Sequence, residues 1–335
     1  FYHNNMAICF IGNSIIDFIS HVENEENIAH GTKGEMEIIS SKKAKELINN
    51  LKNKSIIAGG SSNNSACGLS LLDENVRFIG SVGKDQFSEL YLENLRDYFV
   101  NTEYMVWDIN HSTGISIIYI TPDAERTMNT HLGASVNLVP DNITRKALED
   151  IKGSFVEGYI YYSRYGAQII SKLFTETKKI GGFNAISLSD INCVQNFRNE
   201  FLNLIDENKI DLLFGNKKEM MHLFKVDDEK SLNFQLKKNS TKYVTFIMTN
   251  GKYGCVIAQK NEIKIIPAKK IKNIIDTTGA GDLFVSGFLK GYINGRNIIK
   301  CSEMGNYYAS EIIQTIGGKV NKDSISKIKE NFLKF

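Results

Sequence analysis

The segment Asp276–Asp282 reads Asp-Thr-Thr-Gly-Ala-Gly-Asp and places a carboxylate on either side of residues with almost no side-chain bulk. The small residues are Gly279, Ala280 and Gly281. Their backbone N–H groups can approach an anion closely at the start of a helix, where the helix dipole favours negative charge. The pattern predicts an anion hole with the carboxylate of Asp282 beside it.

The residues on either side of this segment indicate how it is held. The apolar stretch Ile271–Ile275 precedes it and an apolar run with helical spacing begins at Leu283, so we expect a strand, a tight turn and a helix. A carboxylate at that turn can take the proton of a hydroxyl group that approaches a bound phosphate, and phosphoryl transfer asks mainly for positioning and charge neutralisation. An ordinary helix cap is the alternative, since Asp favours helix starts and Gly favours turns.

Two further groups of polar residues follow apolar runs nearer the N-terminus. Residues 59–64 read Gly-Gly-Ser-Ser-Asn-Asn, in which Gly60 allows a close backbone approach and the Asn64 amide can both donate and accept hydrogen bonds. Asn13 and Asp17 follow the first apolar run, and the Asp17 carboxylate can accept hydrogen bonds from two neighbouring hydroxyl groups. A serine-capped helix start and a pair of turn and edge residues are the respective alternatives.

Short strand-like apolar runs alternate with helix-like periodic stretches along most of the chain. This alternation predicts an α/β fold with a mostly parallel central sheet and helices on both faces. After a first apolar run at Ala7–Ile11, the predicted core strands are Ser55–Ala58, Arg77–Ser81, Tyr159–Tyr162, Ala185–Leu188, Leu212–Gly215 and Thr245–Thr249. The predicted helices are Ser41–Asn53, Ser62–Leu72, Gln86–Tyr98, Gly166–Ile180, Gln195–Asp206, Lys217–Leu223, Leu283–Tyr292 and Ile299–Ile313.

The stretch between Val106 and Leu132 departs from this alternation. It predicts a β-hairpin of Gly114–Ile120 and Glu125–His131 around the turn at residues 121–124. Two strands outside the alternating core, Asp17–Val22 and Glu35–Ile39, are expected to join the hairpin in a small β-sheet lid. The predicted division is a lid of residues 13–40 and 105–132 over a core of residues 1–12, 41–104 and 133–335.

Composition argues against several other kinds of site. Lys and Arg number 40 against 38 Asp and Glu, and no basic block is long enough to follow a phosphate backbone, so we expect no nucleic-acid partner. Five widely spaced cysteines without a CxxC pair indicate inert, reduced thiols and a cytoplasmic protein. No apolar run approaches the ~20 residues of a membrane span, so no membrane contact is expected.

Together these residues resemble the ribokinase-like, or PfkB-type, carbohydrate kinases over nearly the whole chain. The family signature Asp-Thr-x-Gly-Ala-Gly-Asp is intact at residues 276–282, and residues 59–64 are similar to the family's Gly-Gly-x-x-x-Asn motif. The resemblance implies a ribokinase-like three-layer α/β/α fold and transfer of the γ-phosphate of ATP to an alcohol group, with Asp282 as the base. It implies that hydroxyl groups of the acceptor are bound by Asn13, Asp17, Gly60, Ser61 and Asn64.

The resemblance also implies a nucleotide side that uses ATP and Mg²⁺. Asn216 and Glu219 are similar to the family's Asn-x-x-Glu motif, with Glu219 acting on Mg²⁺ through water, although the same spacing caps ordinary helices. Residues 249–254 are similar to a Thr-x-Gly-x-x-Gly nucleotide loop, although an Asn-Gly hairpin turn has the same pattern. The remaining assignments are Thr249, Gly251, Gly254 and Ser189 at the nucleotide, and Asp276 near a monovalent cation, K⁺.

Ser61 and the predicted hairpin bear on the acceptor. Adenosine kinases of the family resemble Gly-Gly-Ser-x-x-Asn at the first motif, whereas ribokinases have Lys in place of Ser, and residues 121–130 look like bacterial-type adenosine kinases. Arg126 would then clamp the transferring phosphate; otherwise it is a solvent-facing hairpin residue. An adenine base needs an apolar slot, for which the hairpin offers Ile115, Ile117, Ile118 and Met128.

Three functions stay open on the sequence alone. One is transfer of phosphate from ATP to the 5′-hydroxyl of adenosine, which forms AMP in purine salvage. The second is a ribose- or fructose-type sugar kinase of the same family, and the third is a catalytically silent sensor, against which the intact Asp282 argues. A dehydrogenase lacks support because no Gly-x-Gly-x-x-Gly follows the first strand. The sequence does not decide between a monomer and a homodimer.

Overall fold

The computed structural model describes residues 6–123, 125–271, 273–315, 318–320 and 322–335. Residues 1–5, which the predicted core includes, and Ala124 of the predicted hairpin turn lie outside the described residues.

The chain alternates between strands and helices, as its apolar pattern predicts. The strands are β1 (Ala7–Ile11), β2 (Ile15–His21), β3 (Met36–Ile38), β4 (Ser55–Gly59), β5 (Val76–Ile79), β6 (Ser81–Gly83), β7 (Val106–Asp108), β8 (Gly114–Ile120), β9 (Arg126–His131), β10 (Ile151–Glu157), β11 (Phe183–Ser187), β12 (Leu212–Asn216), β13 (Thr245–Thr249), β14 (Cys255–Gln259) and β15 (Glu262–Ile266). The helices are α1 (Ser41–Asn50), α2 (Ser61–Ser70), α3 (Gln86–Asp97), α4 (Gly166–Lys179), α5 (Ile191–Asn196), α6 (Arg198–Asp206), α7 (Lys217–Phe224), α8 (Glu229–Asn239), α9 (Ala280–Ile293), α10 (Ile298–Ile312) and α11 (Ile325–Phe332).

An eight-stranded sheet forms the centre of the molecule, in the order β15-β14-β13-β12-β11-β10-β1-β5. The pairings from β5 to β13 are parallel, and β14 and β15 extend the edge in antiparallel pairs. A strand buried on both faces shows why helices cover both sides: in β1, Ala7, Cys9 and Ile11 pack into one hydrophobic cluster, and Ile8 and Phe10 pack into another. The predicted three-layer α/β/α fold is confirmed.

A second, five-stranded sheet has the order β3-β9-β8-β2-β4. It contains the predicted hairpin, since β8 and β9 pair antiparallel, with Ile115 opposite His131 and Ile120 opposite Arg126. Strand β7 pairs with β6 in a separate two-stranded sheet, so part of the predicted lid stretch lies elsewhere. We call the five-stranded sheet the small sheet; the division of the chain into a core and a closing lid stays a prediction.

Two predicted core strands are wrong. Residues 159–162 lie in a 3₁₀ helix, Gly158–Tyr162, whose turn is closed by a hydrogen bond from the N–H of Ser163 to the carbonyl of Ile160; the strand ends just before it at Glu157. The run predicted at 55–58 is a strand, β4, but it pairs antiparallel with β2 in the small sheet. A short apolar run does not specify which strand will be its partner.

The helix predictions differ in smaller ways. The stretch predicted as one helix at 195–206 is two helices, because the backbone at Phe197 (φ −124°) interrupts the helical conformation between α5 and α6. Helix α9 begins at Ala280, before the predicted start at Leu283. Elements β10, β14, β15, α8 and α11 are absent from the prediction.

The five cysteines are free and buried, as the sequence predicts. Burial raises the pKa of the Cys9 thiol to about 12, so this residue stays protonated and unreactive at neutral pH. Within the described ranges, none of the helices has both the length and the apolar character needed to cross a membrane.

Candidate active site

The turn at residues 276–282, which the sequence predicts to be catalytic, leads directly into α9. Gly279 is the N-cap residue and has a left-handed backbone, with φ 73°. A Cβ there would lie 2.5 Å from the carbonyl oxygen of Gly318, so both the conformation and the close contact require glycine. The strand expected at residues 271–275 is absent from the described part of this segment, where Ile275 instead donates a backbone hydrogen bond to Ile313.

Asp282 lies in the first turn of α9 and meets the start of α2. Ser61 Oγ donates to Asp282 Oδ1 at 2.7 Å, and Asn64 Nδ2 donates to Asp282 Oδ2 at 2.9 Å. Ser65 Oγ donates to the Asp282 main-chain oxygen at 3.1 Å. The two motifs that the sequence places far apart, at 59–64 and 276–282, therefore share one carboxylate.

Asp17 approaches the same place from the small sheet. It lies on β2 opposite Ile57 of β4. A Cβ added to Gly59 would lie 2.0 Å from Asp17 Oδ2, so the missing side chain at this position makes room for the carboxylate. Asn13 and Gly60 line the same cleft, which has a volume of about 180 Å³ and also contains Ser61, Asn64 and Asp282.

Sequence reasoning missed Glu157, at the carboxyl end of β10. Its side chain is 1% exposed and lines the cleft. Its two oxygens accept hydrogen bonds from the backbone N–H of Asn13 at 2.8 Å and of Ser62 at 2.7 Å. Glu157 thus ties the segment after β1 to the start of α2. In the sequence, Glu157 is only a lone acidic residue at the end of an apolar run. It lies just before residues 159–162, for which the strand prediction is wrong.

We expect Glu157→Ala to lower the free energy of unfolding by about 2–5 kcal/mol, because two buried N–H groups lose their acceptor. Urea denaturation monitored by circular dichroism measures this change. Glu89→Ala is the matched control: Glu89 is exposed on α3, and its loss should change stability by no more than about 0.5 kcal/mol. Equal stabilities for the two variants would contradict the bridging role of Glu157.

The small sheet covers the cleft with alternate residues of its strands. Ser116 and Ile118 of β8 line the cleft, whereas Ile115 and Ile117 face away and pack in the core. Of the four apolar residues predicted for a base slot, Ile118 and Met128 are therefore in position. The other cleft-lining residues from this side include Ile15, Met36, Arg126, Thr130 and Leu132.

Charge is concentrated in the cleft. The pKa of Asp17 is raised to about 7, chiefly by burial; Arg126 and Lys319 oppose the rise, and the charge of Asp282 adds to it. Burial also raises the pKa of Asp282, opposed by its two side-chain hydrogen bonds and by the same two cations. Burial raises the pKa of Glu157 to about 7 against its backbone hydrogen bonds. A carboxylate with a raised pKa is a better proton acceptor than an exposed one.

A second cavity, of about 520 Å³, lies on the other side of the α9 N-terminus. Thr249, Gly251 and Gly254 line it together with Ala280 and Gly281. A Cβ on Gly281 would meet no atom within 4 Å, so the first turn of α9 opens into free space. The remaining walls combine apolar side chains with three lysines: Ile271, Ile274, Phe284, Ile313, Lys252, Lys269 and Lys270.

A smaller cavity connects the two sides. It is lined by Asp282 and Ser61 from the cleft, by Thr249 and Gly281 from the second cavity, and by Asn216 and Glu219 between them. Ser189, predicted at the nucleotide, lines the cleft and this connection but is not among the residues that line the second cavity. The predicted site residues of the acceptor and nucleotide sides are therefore neighbours across the α9 N-terminus.

Asn216 and Glu219 form a reciprocal helix cap at the start of α7. Asn216 N donates to Glu219 Oε2 at 2.8 Å, and Glu219 N donates to Asn216 Oδ1 at 2.9 Å. Burial raises the pKa of Glu219 to about 7. The helix-cap interpretation is thus met, and the carboxylate also lines the connecting cavity; the assignment of Glu219 to Mg²⁺ stays a prediction.

Asp276 is buried beneath the turn. Its Oδ1 accepts hydrogen bonds from Thr278 N at 2.8 Å and from Thr278 Oγ1 at 2.6 Å. These bonds fix the turn that precedes Gly279. No cluster of three or more His, Cys, Asp or Glu side chains suited to a metal occurs among the described residues. The monovalent-cation assignment stays a prediction.

Comparison with known proteins agrees with this architecture. Residues 7–324 match the family described as pfkB family carbohydrate kinase. The adenosine kinase of Dictyostelium discoideum is 28% identical over an alignment of 340 positions, which covers 95% of this chain and 97% of that protein.

Two solved structures are similar throughout. A probable sugar kinase protein from Rhizobium etli CFN 42 has a TM-score of 0.91 and 30% identity, and the match covers 98% of this chain and 100% of that one. The adenosine kinase from Sinorhizobium meliloti has a TM-score of 0.89 and 30% identity, with 96% and 99% covered. With the signature turn, the carboxylate it carries and the family match over residues 7–324, this chain belongs to the pfkB family of carbohydrate kinases, which phosphorylate a hydroxyl group of their acceptor.

Proposed function

We propose that this kinase transfers the γ-phosphate of ATP to the 5′-hydroxyl of adenosine and so forms AMP. The observation that carries the proposal is the composition of the acceptor cleft, in which polar side chains surround Asp282 and apolar side chains, interspersed with Ser116 and Thr130, line the side formed by the small sheet. A nucleoside has the same division, with a polyhydroxy ribose at one end and a flat, largely apolar base at the other.

The polar end suits a ribose. Asp17 and Asn64 both line the cleft, and Asp17 can accept hydrogen bonds from two vicinal hydroxyl groups at once. Asn13 Oδ1 is buried, and none of the described residues donates a hydrogen bond to it, so an acceptor atom is available there. Two hydroxyl groups on Asp17 would leave the ribose 5′-carbon directed towards Asp282.

The apolar end suits the base. Ile118 and Met128 of the small sheet line the cleft, and Met36, Leu132 and Tyr162 do so as well. A free ribose or fructose has no group to fill this space. Methionine side chains are flexible and polarisable, and they pack well against flat aromatic rings.

The proposed reaction uses three groups of the protein: the Asp282 carboxylate, the N-terminus of α9 and the Arg126 side chain. The acceptor hydroxyl loses its proton to Asp282 as its oxygen attacks the γ-phosphorus, and the bond to the leaving ADP oxygen breaks. The N-terminus of α9, at Gly279 to Gly281, offers backbone N–H groups to the transferring phosphate. Arg126 lies at the edge of the cleft and supplies positive charge from the small sheet.

The second cavity is the proposed ATP site. Its apolar wall suits a nucleobase, and its open end at Gly281 faces the connecting cavity. Mg²⁺, when bound with the nucleotide, would neutralise charge on the phosphates, and Glu219 is the carboxylate that would hold it through water.

A phosphorylation panel tests the acceptor assignment. With ATP, we expect kcat/KM for adenosine to exceed that for ribose and fructose by about 10²-fold, because burial of roughly 100 Å² of base surface contributes about 2.5 kcal/mol. Inosine, which differs only at the base, should fall between them. Ribose or fructose phosphorylated as efficiently as adenosine would contradict the proposal and favour a sugar kinase, the alternative that the likeness to the Rhizobium etli protein supports.

A further inference from the structure

The segment Gly318–Val320 lies against the catalytic turn although it is distant in sequence. A Cβ on Gly318 would lie 3.2 Å from Asn64 Nδ2 and 3.2 Å from Thr278 Cγ2. Gly279 in turn packs on the Gly318 backbone, where a Cβ would come within 2.7 Å of its Cα. The residue that follows, Lys319, is therefore next to the turn that holds Asp282, and no motif of the sequence singles it out.

The Lys319 side chain is held by helix α3. Its Nζ donates a hydrogen bond to Asn94 Oδ1. The same ammonium group lies 5.6 Å from the ring centroid of Tyr98, a favourable distance for a cation over an aromatic face. Tyr98 OH also donates to the main-chain oxygen of Val320 at 3.3 Å, which fixes the backbone of this segment. The positive charge is thus anchored to the core rather than to the small sheet.

The segment Gly318–Val320 packs against Asn64, whose amide donates a hydrogen bond to Asp282, and it therefore lies beside a cleft with a surplus of carboxylates. Asp17, Glu157 and Asp282 all line it, and the charges of Asp17 and Asp282 disfavour each other. Arg126 is the cation that the small sheet supplies. Burial raises the pKa of both Asp17 and Asp282, and Lys319 acts with Arg126 against that rise.

Two other ionisable side chains, those of Cys67 and Lys322, lie in the surroundings of Lys319. Cys67 on α2 is buried, and its pKa is raised by that burial. Lys322 lies 5.0 Å from the centroid of the same Tyr98 ring, but its side chain is exposed. Burial lowers the pKa of Lys319 itself, and the neighbouring Asp17, Asp282 and Cys67 favour its charged form.

We propose that Lys319 is a positioning residue for phosphoryl transfer, the core-anchored positive charge that keeps Asp17 and Asp282 anionic while the acceptor binds. The inference rests on the proposed role of Asp282 as the base. Lys319 acts through the two carboxylates and does not itself need to touch the acceptor or ATP.

The test is the pH profile of kcat/KM, measured with ATP and whichever of adenosine, inosine, ribose and fructose is phosphorylated fastest. Lys319→Met removes the charge, Lys319→Gln removes it but keeps a polar group for Asn94, and Lys319→Arg keeps it. Loss of the charge raises the pKa of the carboxylates, so activity is lost at low pH and regained as the pH rises. We expect the acid limb of the Met and Gln variants to move up by about one pH unit, with about tenfold lower activity at pH 6.

Lys322→Met is the matched control, because it removes a lysine from the same aromatic ring without removing the charge near the carboxylates. It and Lys319→Arg should keep the acid limb of the unmodified protein. A uniform loss of activity in Lys319→Gln with an unchanged acid limb would overturn the inference and leave the proposed function intact. Near-normal turnover of Asp282→Asn would overturn the base assignment, and this inference with it.

Discussion

Replacement of Asp282 by Asn is expected to lower kcat by about 10³-fold, because the amide has no capacity to take the proton of the acceptor hydroxyl. The side chain keeps its size and can still accept the hydrogen bond from Ser61 Oγ. The affinity for ATP should therefore change little, since other residues line the cavity that we propose as the ATP site. Steady-state kinetics give kcat, and isothermal titration with ATP gives the affinity.

If Asp282 only supports the start of the helix, Asp282→Asn should leave kcat nearly unchanged. A control variant at an ordinary helix cap tests this alternative. Asp228 is the N-cap of α8, where its side chain accepts from Ser231 N. Asn caps helices about as well as Asp, so Asp228→Asn should leave both stability and kcat nearly unchanged. A kcat of Asp282→Asn close to that of Asp228→Asn would show that Asp282 only supports the helix start.

Replacement of Asp17 by Asn is expected to lower kcat/KM for adenosine by about 10²–10³-fold, chiefly through KM. Two hydrogen bonds to a charged acceptor contribute about 3–4 kcal/mol together, and the amide preserves at most part of this. The affinity for ATP should not change. The comparison is made in the same assay with adenosine, 2′-deoxyadenosine and 3′-deoxyadenosine.

The deoxy acceptors identify the contact that is lost. The unmodified protein should prefer adenosine to each of them by at least about tenfold, and Asp17→Asn should lose most of that preference. Asp123→Asn is the control on the small sheet: Asp123 is exposed, pairs with Lys33 at 2.7 Å and does not line the cleft. A preference that survives in Asp17→Asn would place the ribose hydroxyls elsewhere.

The sequence predicts the central sheet well where a strand is a short, continuous apolar run. The runs Ala7–Ile11 and Thr245–Thr249 are strands with the expected bounds. Both are buried on both faces of the mostly parallel central sheet, and a continuous apolar run is the pattern that such burial requires.

The sequence predicts less well which sheet a strand joins. Strand β4 pairs with β2, and the apolar run Ser55–Ala58 contains nothing that distinguishes this partner from a core strand. Residues 159–162, three tyrosines and an isoleucine, have strong β propensity, yet the backbone turns there in a 3₁₀ helix. Long-range pairing decided the place of β4, and local propensity does not encode it.

The candidate site shows the same limit. Ser61, Asn64 and Asp282 are found from sequence because each lies in a compact motif at a helix start, and the structure brings them into hydrogen-bond contact. Glu157 and Lys319 belong to no such motif. The register of β10 brings Glu157 to the cleft, and the path of the chain after α10 brings Lys319 beside the turn that precedes Asp282; both depend on tertiary packing.

A crystal structure of the protein with adenosine and a non-hydrolysable ATP analogue tests the central claim most directly. We expect the ribose hydroxyl groups on Asp17 and the 5′-oxygen within about 3.2 Å of an Asp282 carboxylate oxygen, with the γ-phosphate position at the N-terminus of α9. Adenosine bound only in the cavity at Thr249, with its 5′-oxygen turned away from Asp282, would contradict it.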